Sequence, residues 1–159
     1  MSTFHLSSDA FLSGDMIPIR HTCEGRDLSP PLTWGDPPEG TQSFALVCED
    51  PDAPRGIWAH WVLFNLPAQV RGLPQGVEPD PELADGSRQG RNDFGRLGYG
   101  GPCPPPGHGP HRYYFRLYAL DRLLALPPGS TRADLLAAID GHVLATAELM
   151  GRFERPTHR

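Results

Sequence analysis

The 159 residues include 18 glycines and 19 prolines, about 23% of the chain against roughly 12% in average proteins. All 14 basic residues are arginine, and 19 acidic residues bring the net charge to −5. The Gly and Pro load excludes a coiled coil or long-helix bundle, and the acidic balance excludes a general nucleic-acid or anionic-membrane surface. No apolar run approaches the ~20 residues that a membrane-spanning helix needs. Residues 1–15 lack the basic start and unbroken apolar stretch of a secretory signal. Cys23, Cys48 and Cys103 are widely spaced, odd in number and without a CxxC step. They predict neither a disulfide framework nor a zinc ribbon, and so a reducing cytoplasm. A single domain over 1–159 is expected.

In chain order, Phe4 to Phe11 and Met16 to Thr22 read as strands flanking a Ser13-Gly14-Asp15 turn. Leu32 to Trp34 and Ser43 to Glu49 are further strands. Ile57 to Leu66 is the most apolar segment and reads as a central strand buried on both faces, ended by Pro67. Trp58 and His60 should share one face there, with Trp61 on the other. Arg71 to Asp93 is polar and turn-rich, as in a surface excursion. His111 to Leu120 is a strong alternating strand, with Tyr113, Phe115, Leu117 and Ala119 on one face. Thr131 with Asp134 resembles a capping box. Leu135, Leu136, Ile139, Val143, Ala147 and Met150 then recur at helical spacing, which predicts an amphipathic helix of about 18–20 residues, weakened at Gly141. The sum is a mainly β chain: a β-sandwich-like core with a C-terminal amphipathic helix packed on it.

Three segments concentrate polar chemistry. Glu49-Asp50-Pro51-Asp52-Ala53-Pro54 holds two carboxylates at a proline-stiffened strand end; taken alone, such a step is also an ordinary Asp-capped turn. His60, inside an apolar strand, must find a partner or bear a desolvation cost of about 1–3 kcal/mol, as a core histidine or as a ligand contact. In residues 98–110, ten of 13 positions are Gly or Pro, and His111-Arg112-Tyr113 follows directly. Prolines stiffen such a loop and glycines let backbone amides approach a ligand, which suits a fixed wall for an anion. The alternative, a proline-rich linker, is disfavoured by the strand that starts at His111.

DPDAP at 50–54, HW-x-x-x-NLP at 60–67 and GYGGPCPPPGHGPHRYYF at 98–115 closely resemble the phosphatidylethanolamine-binding protein family, above all its bacterial, Raf-kinase-inhibitor-like branch. LSPPLTW (28–34), DFG (93–95) and HVLATAELMG (142–151) add to the resemblance. It implies a large antiparallel sheet packed on a smaller sheet, and a small pocket for phosphate, phosphorylated head groups or carboxylates. Carried over residue by residue, the pocket comprises Asp50, Trp58, His60, Gly101, Pro104, His111 and Tyr113, with Asp52, Tyr99 and Cys103 at its periphery. Two departures stand out: Ala59, where many members carry a polar residue, and Cys103, where Gly or Ala is frequent.

With no lysine in the chain, such a pocket needs directional donors rather than bulk charge. Asp50 fits if it accepts a ligand ammonium or hydroxyl, or if it orients His60 or His111, in which case affinity should rise as pH falls through the histidine range. The resemblance implies a non-enzymatic binding protein, and no cofactor or metal is expected. As partners the resemblance implies a small phosphorylated or carboxylate anion, a kinase or protease under regulation and, by analogy to the bacterial branch, a second copy of the chain through the 71–93 excursion. Two rivals are a hydrolase built on Cys103, His60, His111 and Asp50 and a zinc site drawing on His60, Cys103, His108 and His111, for which no four-ligand spacing stands out. Arg112 is expected to pair with an aspartate; His5, His21, His142 and His158 read as structural or solvent-exposed.

Overall fold

The computed structural model describes residues 4–156; His158 lies outside them. Two antiparallel sheets stack on one another. The larger contains β3 (Ser43–Asp50), β4 (Trp58–Pro67), β6 (Arg88–Gln89), β7 (His111–Leu120) and β8 (Val143–Phe153), in the order β6-β4-β3-β7-β8. The smaller contains β1 (Leu6–Ser7), β2 (Leu32–Trp34) and β5 (Gly72–Leu73), in the order β1-β2-β5.

All eight residues of β3 are buried, because both faces of the large sheet are covered. On one face Phe44, Leu46, Trp61, Leu63, Phe115 and Leu117 pack against Leu6, Leu32, Trp34 and Leu73 of the small sheet. Phe44 stacks on Phe4 and meets Trp34 edge-on, with ring centroids 5.9 and 5.5 Å apart. On the other face Val47, Val62, Phe64 and Leu120 pack against Leu135 and Ile139 of helix α1 (Arg132–Ile139). The alternation read along β7 is present: Tyr113, Phe115, Leu117 and Ala119 are fully buried.

The chain's second half corrects the long helix. The Thr131–Asp134 capping box forms, but α1 spans eight residues and stops at Asp140. Gly141 then takes a left-handed φ of 81°, which turns the backbone out of the helix. Val143 to Phe153 instead run as β8 beside β7, from Leu120 opposite Val143 to His111 opposite Phe153. Ala147, Leu149, Gly151 and Phe153 are the buried set, at the period of a strand.

Two further expectations change. Of the N-terminal strands only Leu6–Ser7 forms; Met16 makes one bridge to Arg152, and Pro18 introduces a 3-10 turn over Ile19–His21. The 71–93 segment is more than a surface excursion. It supplies β5 to the small sheet and β6 to the edge of the large one, and it buries Ser87, Gln89 and Asn92. Gln89 is the keystone: its Oε1 accepts from Trp61 Nε1 (2.8 Å), while its Nε2 donates to the carbonyls of Glu78 (2.6 Å) and Asp80 (2.9 Å).

Candidate functional site

A pocket of about 190 Å³ opens where β3 ends and β4 and β7 begin, with the Gly/Pro-rich loop as its wall. Antiparallel pairing places Asp50 directly opposite Trp58. His60 enters by a β-bulge: Cys48 lies opposite Trp61 and Glu49 opposite Ala59, so His60 is an extra residue on β4. The bulge overturns half of the expected alternation: Trp58 and His60 do face one pocket, but Trp61 is not turned to the opposite face. Trp61 packs into the same inter-sheet core that holds Tyr113, and the His60 ring meets Tyr113 edge-on at 5.2 Å.

The Asp50 carboxylate is fully engaged. Its Oδ1 accepts from the Asp52 amide at 2.7 Å, and its Oδ2 accepts from His111 Nδ1 at 2.6 Å. His60 Nδ1 donates to the Gly100 carbonyl at 2.6 Å. This bond fixes the neutral tautomer and leaves Nε2 as the ring's acceptor. Burial lowers the His60 pKa from its ordinary value, opposed by the bonds to the 100–101 backbone and the charges of Asp50 and Asp27. Burial also pushes the Tyr113 hydroxyl far above the usual tyrosine range, so it stays a donor.

Three buried side-chain polar atoms among the described residues have no hydrogen-bond partner: His21 Nε2, Trp58 Nε1 and Tyr113 Oη. The last two belong to residues lining the pocket. An unpartnered buried donor costs about 1–3 kcal/mol, and two at one small cavity call for an acceptor-rich occupant. No arginine lines the cavity, and the chain has no lysine. Charge neutralisation would come from directional donors, from protons and from the charge of Arg155, which is felt at Tyr113 from behind the Pro104 wall.

Of the other candidates, Pro104 and Cys103 line the pocket. Gly101, Asp52 and Tyr99 do not. The Gly101 amide donates to Asp27 Oδ1 at 2.8 Å, and an added Cβ would sit 2.3 Å from the His21 carbonyl oxygen. Its glycine is needed for close packing rather than for an exposed amide. Asp52 forms a two-pronged pair with Arg112, at 2.8 and 2.9 Å, which straps the Asp50 loop to β7. Tyr99 donates to the His21 carbonyl at 2.7 Å and packs on Trp61. Sequence reading missed Phe94, whose ring contacts both Trp58 and His60 at 5.5 and 5.3 Å. Its signal was the DFG step, where Asp93 Oδ2 accepts from the Ala59 amide at 2.6 Å and brings Phe94 over β4. Ala53, Pro54 and Pro105 complete the lining.

The cysteines are a second correction. Cys23 and Cys103 form a disulfide, with Cα atoms 5.4 Å apart, that ties the 3-10 turn to the pocket wall. Two cysteines 80 residues apart gave no local spacing signal, because folding rather than sequence proximity brings them together. As a disulfide, Cys103 has no thiolate to act as a nucleophile, and Cys48 is a buried thiol whose pKa burial raises.

These features define a two-sheet β protein with a small donor-lined pocket at the ends of its central strands. The chain belongs to the phosphatidylethanolamine-binding protein family, whose profile matches residues 7–154. It is 51% identical over 151 residues to a UPF0098 protein of Methanothermobacter thermautotrophicus, covering 95% of this chain and 99% of that one. Among solved structures, Escherichia coli YbcL, described as a new member of the mammalian family, superposes with a TM-score of 0.90 at 39% identity, covering 96% of this chain and 99% of YbcL. A Chlamydia trachomatis homologue gives 0.88 at 42%, covering 98% and 99%. A carboxypeptidase Y inhibitor, solved with its cognate proteinase, shares the fold alone (TM-score 0.59, 21% identity, 96% and 84% covered). Among the described residues no helix is long and apolar enough to cross a membrane.

Proposed function

We propose that this chain is a non-enzymatic binding protein, acting as one domain, whose pocket takes a small anion. Phosphate, a phosphorylated head group and a carboxylate share the chemistry that the pocket would recognise. The observation that carries the reading is the pair of unpartnered buried donors, Trp58 Nε1 and Tyr113 Oη, in a cavity of about 190 Å³. Two oxygens of one anion would satisfy both. His60 Nε2, a lone-pair acceptor in the neutral ring, would meet a third oxygen that carries a proton, or would itself take up a proton and donate. Binding is then linked to proton uptake, and affinity rises as pH falls.

Calorimetric titration of inorganic phosphate into the wild type, Trp58→Phe and Tyr113→Phe tests this. Each variant removes one donor and should bind about tenfold more weakly, about 1.4 kcal/mol. Unchanged affinity in both would place the anion elsewhere. Hydrolysis through a cysteine has no support once Cys103 is in a disulfide.

In the Raf-kinase-inhibitor-like reading, the pocket docks a phosphorylated or acidic segment of a kinase or protease. Self-association through the exposed parts of 71–93 is the accompanying proposal, decided by gel filtration. A cytoplasmic location completes this reading, although the disulfide removes the cysteine argument for a reducing compartment. Alkylation trapping of thiols in intact cells would decide the redox state.

A further inference from the structure

The Asp50–His111 pair does not end at the pocket. His111 Nε2 lies 2.6 Å from Nδ1 of His108, an exposed residue of the wall loop. The tautomers follow from the chain of bonds. His111 Nδ1 faces the Asp50 carboxylate and must carry hydrogen, so the neutral ring has its lone pair on Nε2. The hydrogen between the two imidazoles then sits on His108 Nδ1, and His108 Nε2 is left with a lone pair. His108 is flanked by Gly107 and Gly109, neither of which carries a side chain to shield it.

We propose that His108 is a reactive modification site: an exposed nucleophilic imidazole, backed by His111 and Asp50, that accepts acyl groups from donors with a good leaving group. In the step, His108 Nε2 forms a bond to the acyl carbon while the bond from that carbon to the leaving oxygen breaks. The proton on His108 Nδ1 passes to His111 Nε2, where Asp50 stabilises the cation, and is then released to the leaving oxyanion (a carboxylate, carbonate or phosphate) or to solvent. The product is a neutral N-acyl-imidazole, and no electrons are gained or lost. Asp50 and His111 act as positioning residues, holding the tautomer and receiving the proton.

The other described histidines lack one part of this arrangement. His21, His60 and His111 are buried. His142 is backed by Asp121 through Nδ1, but its Nε2 accepts from Arg122 at 3.0 Å. His5 is exposed without a histidine–carboxylate pair behind it.

The test treats the whole protein with limiting diethyl pyrocarbonate near neutral pH and no added anion, then quantifies carbethoxylation at each histidine by peptide mass spectrometry. His108 should label about tenfold faster than His5. In Asp50→Asn, checked for folding by circular dichroism, that preference should collapse. Equal rates at His108 and His5 in the wild type would overturn the proposal, and so would an undiminished preference in folded Asp50→Asn. The wild-type comparison decides even if the variant fails to fold. Because no anion is present, the result is independent of whether the pocket binds phosphate.

Discussion

Breaking the Cys23–Cys103 disulfide should cost this protein a large share of its stability. The bond closes a separation of 80 residues. On the chain-entropy account, a loop of that size removes about 4.5 kcal/mol of freedom from the unfolded state at 25 °C. For a domain of this length each kcal/mol moves the melting temperature by about 2–4 °C, so the upper bound is a drop of about 9–18 °C. The native contacts of the bridge should largely survive its loss. The Cys23 amide still donates to the Pro102 carbonyl at 3.1 Å, the Gly101 amide to Asp27, and Arg155 Nε to the Pro104 carbonyl at 2.6 Å. The cost therefore sits in the unfolded chain, and Cys23→Ser, Cys103→Ser and the reduced, alkylated wild type should melt together. Thermal melts followed by circular dichroism would measure it. Melting of the oxidised and reduced proteins within about 2 °C of each other would refute the reasoning, as would three free thiols in the unreduced protein.

Gly101→Ala should lose about 2–3 kcal/mol in urea unfolding, since its Cβ would meet the His21 carbonyl oxygen at 2.3 Å and Asp27 Oδ1 at 2.4 Å; an unchanged midpoint would contradict the packing. Stability should also fall in acid through His21 and His60, whose folded pKa values burial lowers below the ordinary 6.5. The unfolded chain then binds more protons, so this contribution is complete above pH 6.5 and is lost as pH drops toward the folded values. Urea midpoints in a pH series should decline below that point, and less steeply in His21→Phe.

What the sequence made legible follows from which interactions are local. The strands at 43–50, 58–67 and 111–120 announce themselves because alternation and β-branched or aromatic content report burial directly. The capping box is equally local, since Thr131 and Asp134 bond to each other's backbone amides. The helix was over-extended because Leu135, Ile139, Val143 and Ala147 fit a period of four, while Ala147, Leu149, Gly151 and Phe153 fit a period of two. Only pairing with β7 selects the second. The bulge at His60 escapes any period, because one unpaired residue shifts every face beyond it. At the site, the family resemblance implied that Asp50, Trp58, His60 and His111 share a pocket, and all four line one cavity. The resemblance could not show that Gly101's amide is spent on Asp27, that Asp52 is spent on Arg112, or that Phe94 covers His60. Those depend on which loops meet in space.

The most direct test of the account is calorimetric titration of phosphate into the wild-type protein at about pH 5.5 and about pH 8. One site per chain is predicted, bound more tightly at the lower pH, with protons taken up from the buffer on binding. No saturable heat, or equal affinity at both pH values with no proton uptake, would contradict a proton-linked anion pocket at Trp58, His60 and Tyr113.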